Sequence, residues 1–479
     1  MKLLLHISFI LFAANIFGQG EVDYLYEEMP NDSLLEYSIK THSSLKPGVR
    51  YANSSGGIGS YGKPDAYVTI SGLADLHYLQ NDYGSFKTGL GVEVKGGIKD
   101  KFYFRLAGVE GVHQINGFYA PKTFISDSIG KAVLYTDLRG RVAYTPNHIF
   151  NFQIGLDHQF LGEGSRSLLL SDYGSSYPFG QLRMRFWRIE YSILYQFLRE
   201  WDNDQWEGKF ASSHHLSFNA AKWLNIGLFE SVIFQPKDTT LNRGFDVEYL
   251  NPFVMFRPQE YSLGSSDNVL IGIELSANYY REHMFYSQFI LDEFYLAEIR
   301  ARSKWWASKY GGQFGFKGRF KIKEHNFFYR AEYNFVRPYT YSHTSDDVNY
   351  GNQGSPLAHP YGSNFMEALI EVKWQHKNWF AKLYSNYYVR GADKDGFNYG
   401  SDPYLSYVNR PYEYGHYIGQ GAQFNGTNSV LTVGYKVLDH GKLNAFIENH
   451  VRYSTLDNAT RYTLVVGVRS LLWNDYRNY

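Results

Sequence analysis

Four short constellations in this chain combine residue types suited to gripping a polyhydroxylated ligand. The first runs Leu161-Gly162-Glu163-Gly164-Ser165-Arg166-Ser167-Leu168-Leu169-Leu170-Ser171-Asp172-Tyr173, followed by Tyr177-Pro178-Phe179. The second begins at Leu250-Asn251-Pro252-Phe253 and ends at Asp267-Asn268. The third is Leu291-Asp292-Glu293-Phe294, and the fourth is His359-Pro360-Tyr361-Gly362-Ser363-Asn364 with Glu367 beyond it. Carboxylates and arginine form bidentate, charge-assisted hydrogen bonds to hydroxyls, while tyrosine offers a stacking face with a polar tip. The candidate ligand-binding residues are therefore Arg166, Asp172, Tyr173, Asp267, Asn268, Asp292, Glu293, His359, Asn364 and Glu367. Each has a structural alternative, in which loop and lumen charges pair with one another and hold loops in place.

Catalytic readings of the same residues are weaker. Glycoside hydrolysis needs two carboxylates flanking one bond. Asp292 and Glu293 are adjacent, and on a strand adjacent side chains point to opposite faces. His359 and Ser363 suggest a hydrolase pair, but no Gly-x-Ser-x-Gly elbow accompanies them. His214-His215 on a strand is a poor metal pair for the same geometric reason. The sequence shows no Walker A loop, zinc signature or calcium loop, and Asp346-Asp347 lacks the required spacing. The expectation is a protein that is not an enzyme, with no cofactor and no metal.

Such residues need a scaffold, and the composition restricts which one. The chain has 479 residues, no cysteine, and 47 basic against 47 acidic residues. Zero net charge leaves no nucleic-acid footprint, and the lack of cysteine rules out disulfides and a lipoprotein anchor. Aromatics make up 18%, with 43 tyrosines and 35 phenylalanines. That excess suits the aromatic girdles of a membrane barrel or a carbohydrate-stacking surface. Met1-Lys2, an apolar run from Leu3 to Phe17 and Gly18-Gln19-Gly20 read as a secretory signal peptide over residues 1–20.

Period-two alternation recurs from about residue 66 to the end. Phe446, Glu448, His450 and Arg452 oppose Ala445, Ile447, Val451 and Tyr453; Tyr462, Leu464, Val466 and Val468 oppose Arg461, Thr463, Gly467 and Arg469. Trp187, Ile189, Tyr191, Ile193, Tyr195 and Phe197 oppose Glu190, Ser192 and Gln196 in the same way. Such runs last about ten residues, the length of a tilted strand crossing a bilayer. Short turns at Lys99-Asp100, Pro146-Asn147, Ala221-Lys222, Lys323-Glu324, His376-Lys377 and His440-Gly441 alternate with long connections. The long ones lie near 111–131, 161–182, 199–211, 235–268, 338–364 and 390–428. That segregation predicts a transmembrane antiparallel β-barrel in the outer membrane, all-β, over residues 63–479. An even count near the candidate strands gives 18, with 16 as the alternative. The final strand, ending near Trp473, closes on the first, near Tyr67 to Tyr78. Bulky residues assigned to the lumen (Phe186, Leu194, Phe446) predict an occluded interior. Residues 21–62 form a short periplasmic segment that caps or partly plugs the barrel or trails from it, flexible over Ser54–Gly62.

In motif order, from about residue 140 to the end, the four constellations resemble the Wzi family of capsule assembly proteins, including its RemB branch in gliding Bacteroidetes. The Gly-x-Gly-x-Arg-Ser-Leu…Ser-Asp segment is the most specific part. The resemblance implies an 18-stranded outer-membrane barrel with a small periplasmic helical element, and lectin-like capture of capsular polysaccharide. It also implies a role in gliding or adhesion. The expected partners are surface polysaccharide, outer-membrane lipid and other outer-membrane or gliding-machinery proteins. The competing reading from the lumen charges is a porin-like channel or the barrel subunit of a larger surface complex.

Overall fold

The computed structural model describes residues 46–47, 59–63 and 66–470, apart from 82–83, 100, 115–123, 130–131, 148, 203–204, 237–248, 250, 252–266, 281, 294 and 438–442. Residues 1–20 and most of 21–58 lie outside the described residues, as does Trp473.

Eighteen antiparallel strands close into one barrel. They are β1 Ala66–Gln80, β2 Ser85–Ile98, β3 Phe102–Gln114, β4 Ala132–Tyr144, β5 Phe150–Asp157 and β6 Tyr177–Phe186. Next come β7 Ile189–Asp202, β8 Gln205–Asn219, β9 Leu224–Phe234, β10 Asn268–Tyr279, β11 His283–Leu291 and β12 Tyr310–Ile322. The last six are β13 His325–Val336, β14 Phe365–His376, β15 Trp379–Ala392, β16 Ala422–Lys436, β17 Asn444–Ser454 and β18 Ala459–Arg469. Each pairs with its neighbour in sequence, and Leu464–Arg469 of β18 closes on Asp75–Gln80 of β1. The other half of that β1 edge, Ala66–Ile70, pairs with a short strand, Gly59–Lys63. Residues 59–62 are thus part of the sheet, which corrects their reading as flexible linker. Closing the sheet into a ring suits the bilayer, where an unsatisfied backbone group is costly.

The faces follow the alternation. Glu448 and His450 are buried in the lumen, while Ile447, Leu464 and Val466 point outward, Val466 with 46% of its surface exposed. Outward aromatics mark the periplasmic rim (Trp187, Trp223, Tyr279, Tyr280, Trp379), and Tyr78, Phe86 and Trp206 mark the opposite one. Aliphatic residues such as Leu90, Leu138, Ile154 and Leu431 occupy the band between. This is the girdle-and-band pattern of an outer-membrane barrel. Phe186 is outward-facing, because Gln181 and Arg183 hold the inward register of β6; the lumen assignment was wrong for this residue. His214 and His215 point to opposite faces, His214 bonded to the Tyr191 hydroxyl (2.9 Å) and His215 to Glu274 (3.0 Å).

Short turns gather at the end where the first and last strands terminate, the periplasmic end of such barrels. Most connections at the other end are long. One expected long connection, 199–211, does not exist: β7 and β8 run on to an Asp202↔Gln205 pairing. Polar residues there continue the strands above the membrane. Beyond β11, a short helix, α1, spans Leu296–Ala301.

The largest apolar core lies inside the barrel. Leu161, Leu168, Leu169 and Leu170 of loop 158–176 pack with Tyr341, Val348, Tyr350 and Leu357 of loop 337–364, against Leu194, Phe229, Ile233 and Leu270 of the wall. Two extracellular loops thus fold down into the lumen. Backbone pairing of Lys46–Pro47 with Gln159–Phe160 brings a piece of the N-terminal segment to the same loop.

Candidate functional site

Loop 158–176 leaves β5 and crosses to the far wall, where the first sequence constellation meets strand residues. The Gln288 side chain of β11 accepts from Leu168 N (2.9 Å) and donates to Leu161 O (3.1 Å). Gln313 of β12 donates to Arg166 O (2.9 Å), and Lys317 to the Glu163 carboxylate (2.7 Å). Glu332 of β13 accepts from Ser165 N (2.8 Å) and from the Tyr286 hydroxyl (2.7 Å). This close approach explains Gly162: its φ is +122°, and a Cβ would run into the Gln288 side chain.

At the loop's tip, Arg166 reaches β14 and β15. Its Nη2 donates to the Tyr384 hydroxyl at 2.8 Å, and its Nε lies 3.7 Å from Glu367 Oε2. Arg166 is 2% exposed and Glu367 not at all. Glu367 also accepts from His359 Nε2 (2.8 Å), Asn386 (2.6 Å) and Asn334 (3.2 Å). His359 Nδ1 accepts from Tyr361 N (3.1 Å), so both ring nitrogens are engaged within the protein. Burial holds the His359 imidazole down at about 4, against the opposing pull of Glu367. Ser363 donates to Gly400 O (2.7 Å) and makes no pair with His359, so the hydrolase arrangement is not assembled.

The structure brings Arg166, His359 and Glu367 into one network and disperses the rest. Asn364, at φ +59°, accepts from Gly419 N (2.7 Å) and donates to Gln420 O (3.1 Å), pinning loop 393–421. Asp267 accepts from the Tyr249 hydroxyl (2.6 Å), and Asn268 donates to Val348 O (2.9 Å). Asp172 and Tyr173 are buried where loop 158–176 turns back. Asp292 and Glu293 follow β11 rather than lying on it, which corrects the strand premise. They still serve different partners, Tyr341 N (2.7 Å) and Lys309 Nζ (3.1 Å). Of the ten candidates, Glu293 is the one whose side chain is substantially exposed, at 41%. The other nine are buried within the protein. Among the described residues, no group of three or more His, Cys, Asp or Glu is arranged to hold a metal.

Groups accessible from outside lie on loops 292–309 and 393–421, which carry none of the ten but Asp292 and Glu293. Backbone bonds join the two loops: Trp306 N to Glu413 O (3.0 Å) and His416 N to Lys304 O (2.9 Å). Trp306 packs against Tyr407 with ring centres 4.5 Å apart and the planes tilted by 41°, and the Arg410 guanidinium lies 4.2 Å from the Trp306 ring centre. The buried Lys309 ammonium sits 4.2 Å from the Tyr407 ring centre. His343, beside them, is lowered to about 4 by burial and by Lys309. Above this floor Tyr295, Tyr412, Tyr414 and Tyr417 face solvent. Their signal in the sequence is the tyrosine-rich stretch 404–417 and the Trp305-Trp306 pair.

No protein-family model and no curated protein matches this chain. Among solved structures it is similar to Wzi, an outer membrane protein involved in Group 1 capsule assembly in Escherichia coli and described as a carbohydrate-binding β-barrel. The identity is 13%, the match covers 84% of each chain, and the TM-score is 0.57. A BenF-like porin from Pseudomonas fluorescens matches at 9% identity over 85% of this chain and 98% of that one, with a TM-score of 0.47. Pseudomonas aeruginosa OprD matches at 10% identity over 85% and 96%, with a TM-score of 0.44. Identities this low speak to fold alone, and the two porin scores add no argument. The chain is an outer-membrane β-barrel with the fold of Wzi, its upper lumen filled by its own loops.

Proposed function

We propose that this protein binds surface polysaccharide at its extracellular face and retains or organises it there without a catalytic step. The observation that carries the reading is the joint behaviour of the loops. Two fold inward as a hydrogen-bonded core, and two others join over it into a tyrosine-rich outward cap. A pore would be served by loops that leave the lumen clear; a binding surface is served by loops held rigid. The likeness to a carbohydrate-binding capsule-assembly barrel supports the same reading. A deletion strain tests it: surface polysaccharide should be shed into the medium, and full retention would overturn the reading.

A porin-like channel is the second reading. It is favoured by paired charges on the lumen wall, Glu93–Arg105 (3.0 Å), Asp137–Arg139 (2.9 Å) and Arg141–Asp157 (2.7 Å). Steady open conductance in planar bilayers would favour it. Support of gliding or adhesion is the finer part of the first proposal, and membership of a larger surface complex is a further alternative to it. A deletion strain that loses polysaccharide yet glides and adheres normally would remove the former. Purification from native membranes without any associated protein would remove the latter.

A further inference from the structure

The cap carries a charge pattern that its aromatic residues do not explain. Arg300, Arg302 and Lys304 follow one another at alternate positions and are all exposed. None of the three makes an ion pair among the described residues. Of the nearby acids, Glu413 pairs with Arg410 and Glu293 with Lys309, while Glu298 on α1 makes no ion pair with any of the three. Backbone bonds at Gly415 N–Ser303 O (3.4 Å) and His416 N–Lys304 O set this cationic segment beside Tyr414 and Tyr417, which are 55% and 52% exposed. The floor beneath is rigid, because Lys309 is held by Ser342 O (3.1 Å) and Arg337 by Ser308 O (2.7 Å).

A tyrosine face grips a sugar ring by stacking, and unpaired cations beside it select for carboxylates. We infer that loops 292–309 and 393–421 form a binding site for an acidic polysaccharide, its uronate-type carboxylates meeting Arg300, Arg302 and Lys304 while its rings lie on Tyr414 and Tyr417. The inference rests on the polysaccharide-binding reading and adds both a location and a charge class. A neutral glycan would leave the three cations without a role. An apolar protein partner would leave them desolvated and unpaired, which is unfavourable.

Arg302 and Lys304 have φ of +53° and +57°, so glycine at both positions removes charge while relaxing the backbone. That makes Arg302→Gly/Lys304→Gly a variant expected to fold. The full chain in nanodiscs would be titrated with fluorescent oligogalacturonate and with neutral dextran of matched length. The wild type should bind oligogalacturonate more tightly than dextran, and added salt should weaken that binding. The double variant should bind oligogalacturonate about tenfold more weakly, equivalent to ~1.4 kcal/mol, with dextran unchanged. Tyr414→Ala/Tyr417→Ala should weaken both. Wild-type affinity in the double variant, or no preference for the acidic chain, overturns the inference while leaving the function standing. A wild type that binds neither probe, nor polysaccharide shed from the native surface, overturns the function itself and the inference with it.

Discussion

Replacing Glu367 by alanine should release loop 158–176 from the far wall of the barrel. This carboxylate is fully buried and gathers His359, Asn386 and Asn334 by hydrogen bonds, with Arg166 alongside. Its removal leaves the Arg166 guanidinium buried without this carboxylate, while it still donates to the Tyr384 hydroxyl. Removing one partner of a buried ion pair costs about 3–5 kcal/mol, because the other charge stays desolvated. Glu367→Gln keeps the volume and an acceptor, and should cost less, about 1–3 kcal/mol. The strands themselves lose no ladder bond in either variant, so the cost should fall on the loop. The assay is limited proteolysis of loop 158–176 in detergent-solubilised protein, with urea unfolding followed by gel mobility. Glu367→Ala should expose the loop to cleavage before the barrel unfolds, with Glu367→Gln intermediate. A loop as resistant as in the wild type, with the unfolding midpoint unmoved, would refute the assignment of this network as the anchor.

Two further outcomes follow from the same geometry. Val466→Arg places a charge on the lipid face of β18, which should destabilise insertion by about 2–4 kcal/mol if the site is near mid-bilayer; unchanged refolding into vesicles would reverse the facing assigned here. Acid should loosen the loops, since His343 and His359 are held at about 4 against an ordinary 6.5. A released loop takes up protons below about 6.5 and a docked one resists, so docking is fully favourable above that value and weakens as pH falls towards 4. Hydrogen exchange over 337–364 should therefore speed up across that window, relative to the strands; a flat ratio would count against it.

The barrel was legible because its two faces meet different solvents. Lipid outside and a packed polar lumen inside force period-two alternation, so Ile447/Glu448 and Val466/Gly467 declare their faces without a structure. Phe186 misled because the last inward position of β6, Arg185, lies one residue earlier than the aromatic suggested. The stretch 199–211 misled because its polar residues extend strands beyond the bilayer, where no lipid demands apolar side chains. The site was legible only as a set of unusual residues. Arg166, His359, Asn364 and Glu367 stand out in sequence, yet each is occupied by partners 8 to 218 positions away. Leu168-Leu169-Leu170 is a core segment of an inward-folded loop, and nothing in local spacing says which way a loop folds. The accessible tyrosines of 404–417 looked like loop composition until backbone pairing with 303–306 made them one surface.

The most direct test of the account is equilibrium binding of polysaccharide, shed from the surface of the native cells, to the full chain in nanodiscs. Saturable binding that Tyr414→Ala/Tyr417→Ala weakens is the predicted result. The absence of binding by a correctly folded wild-type barrel would contradict it.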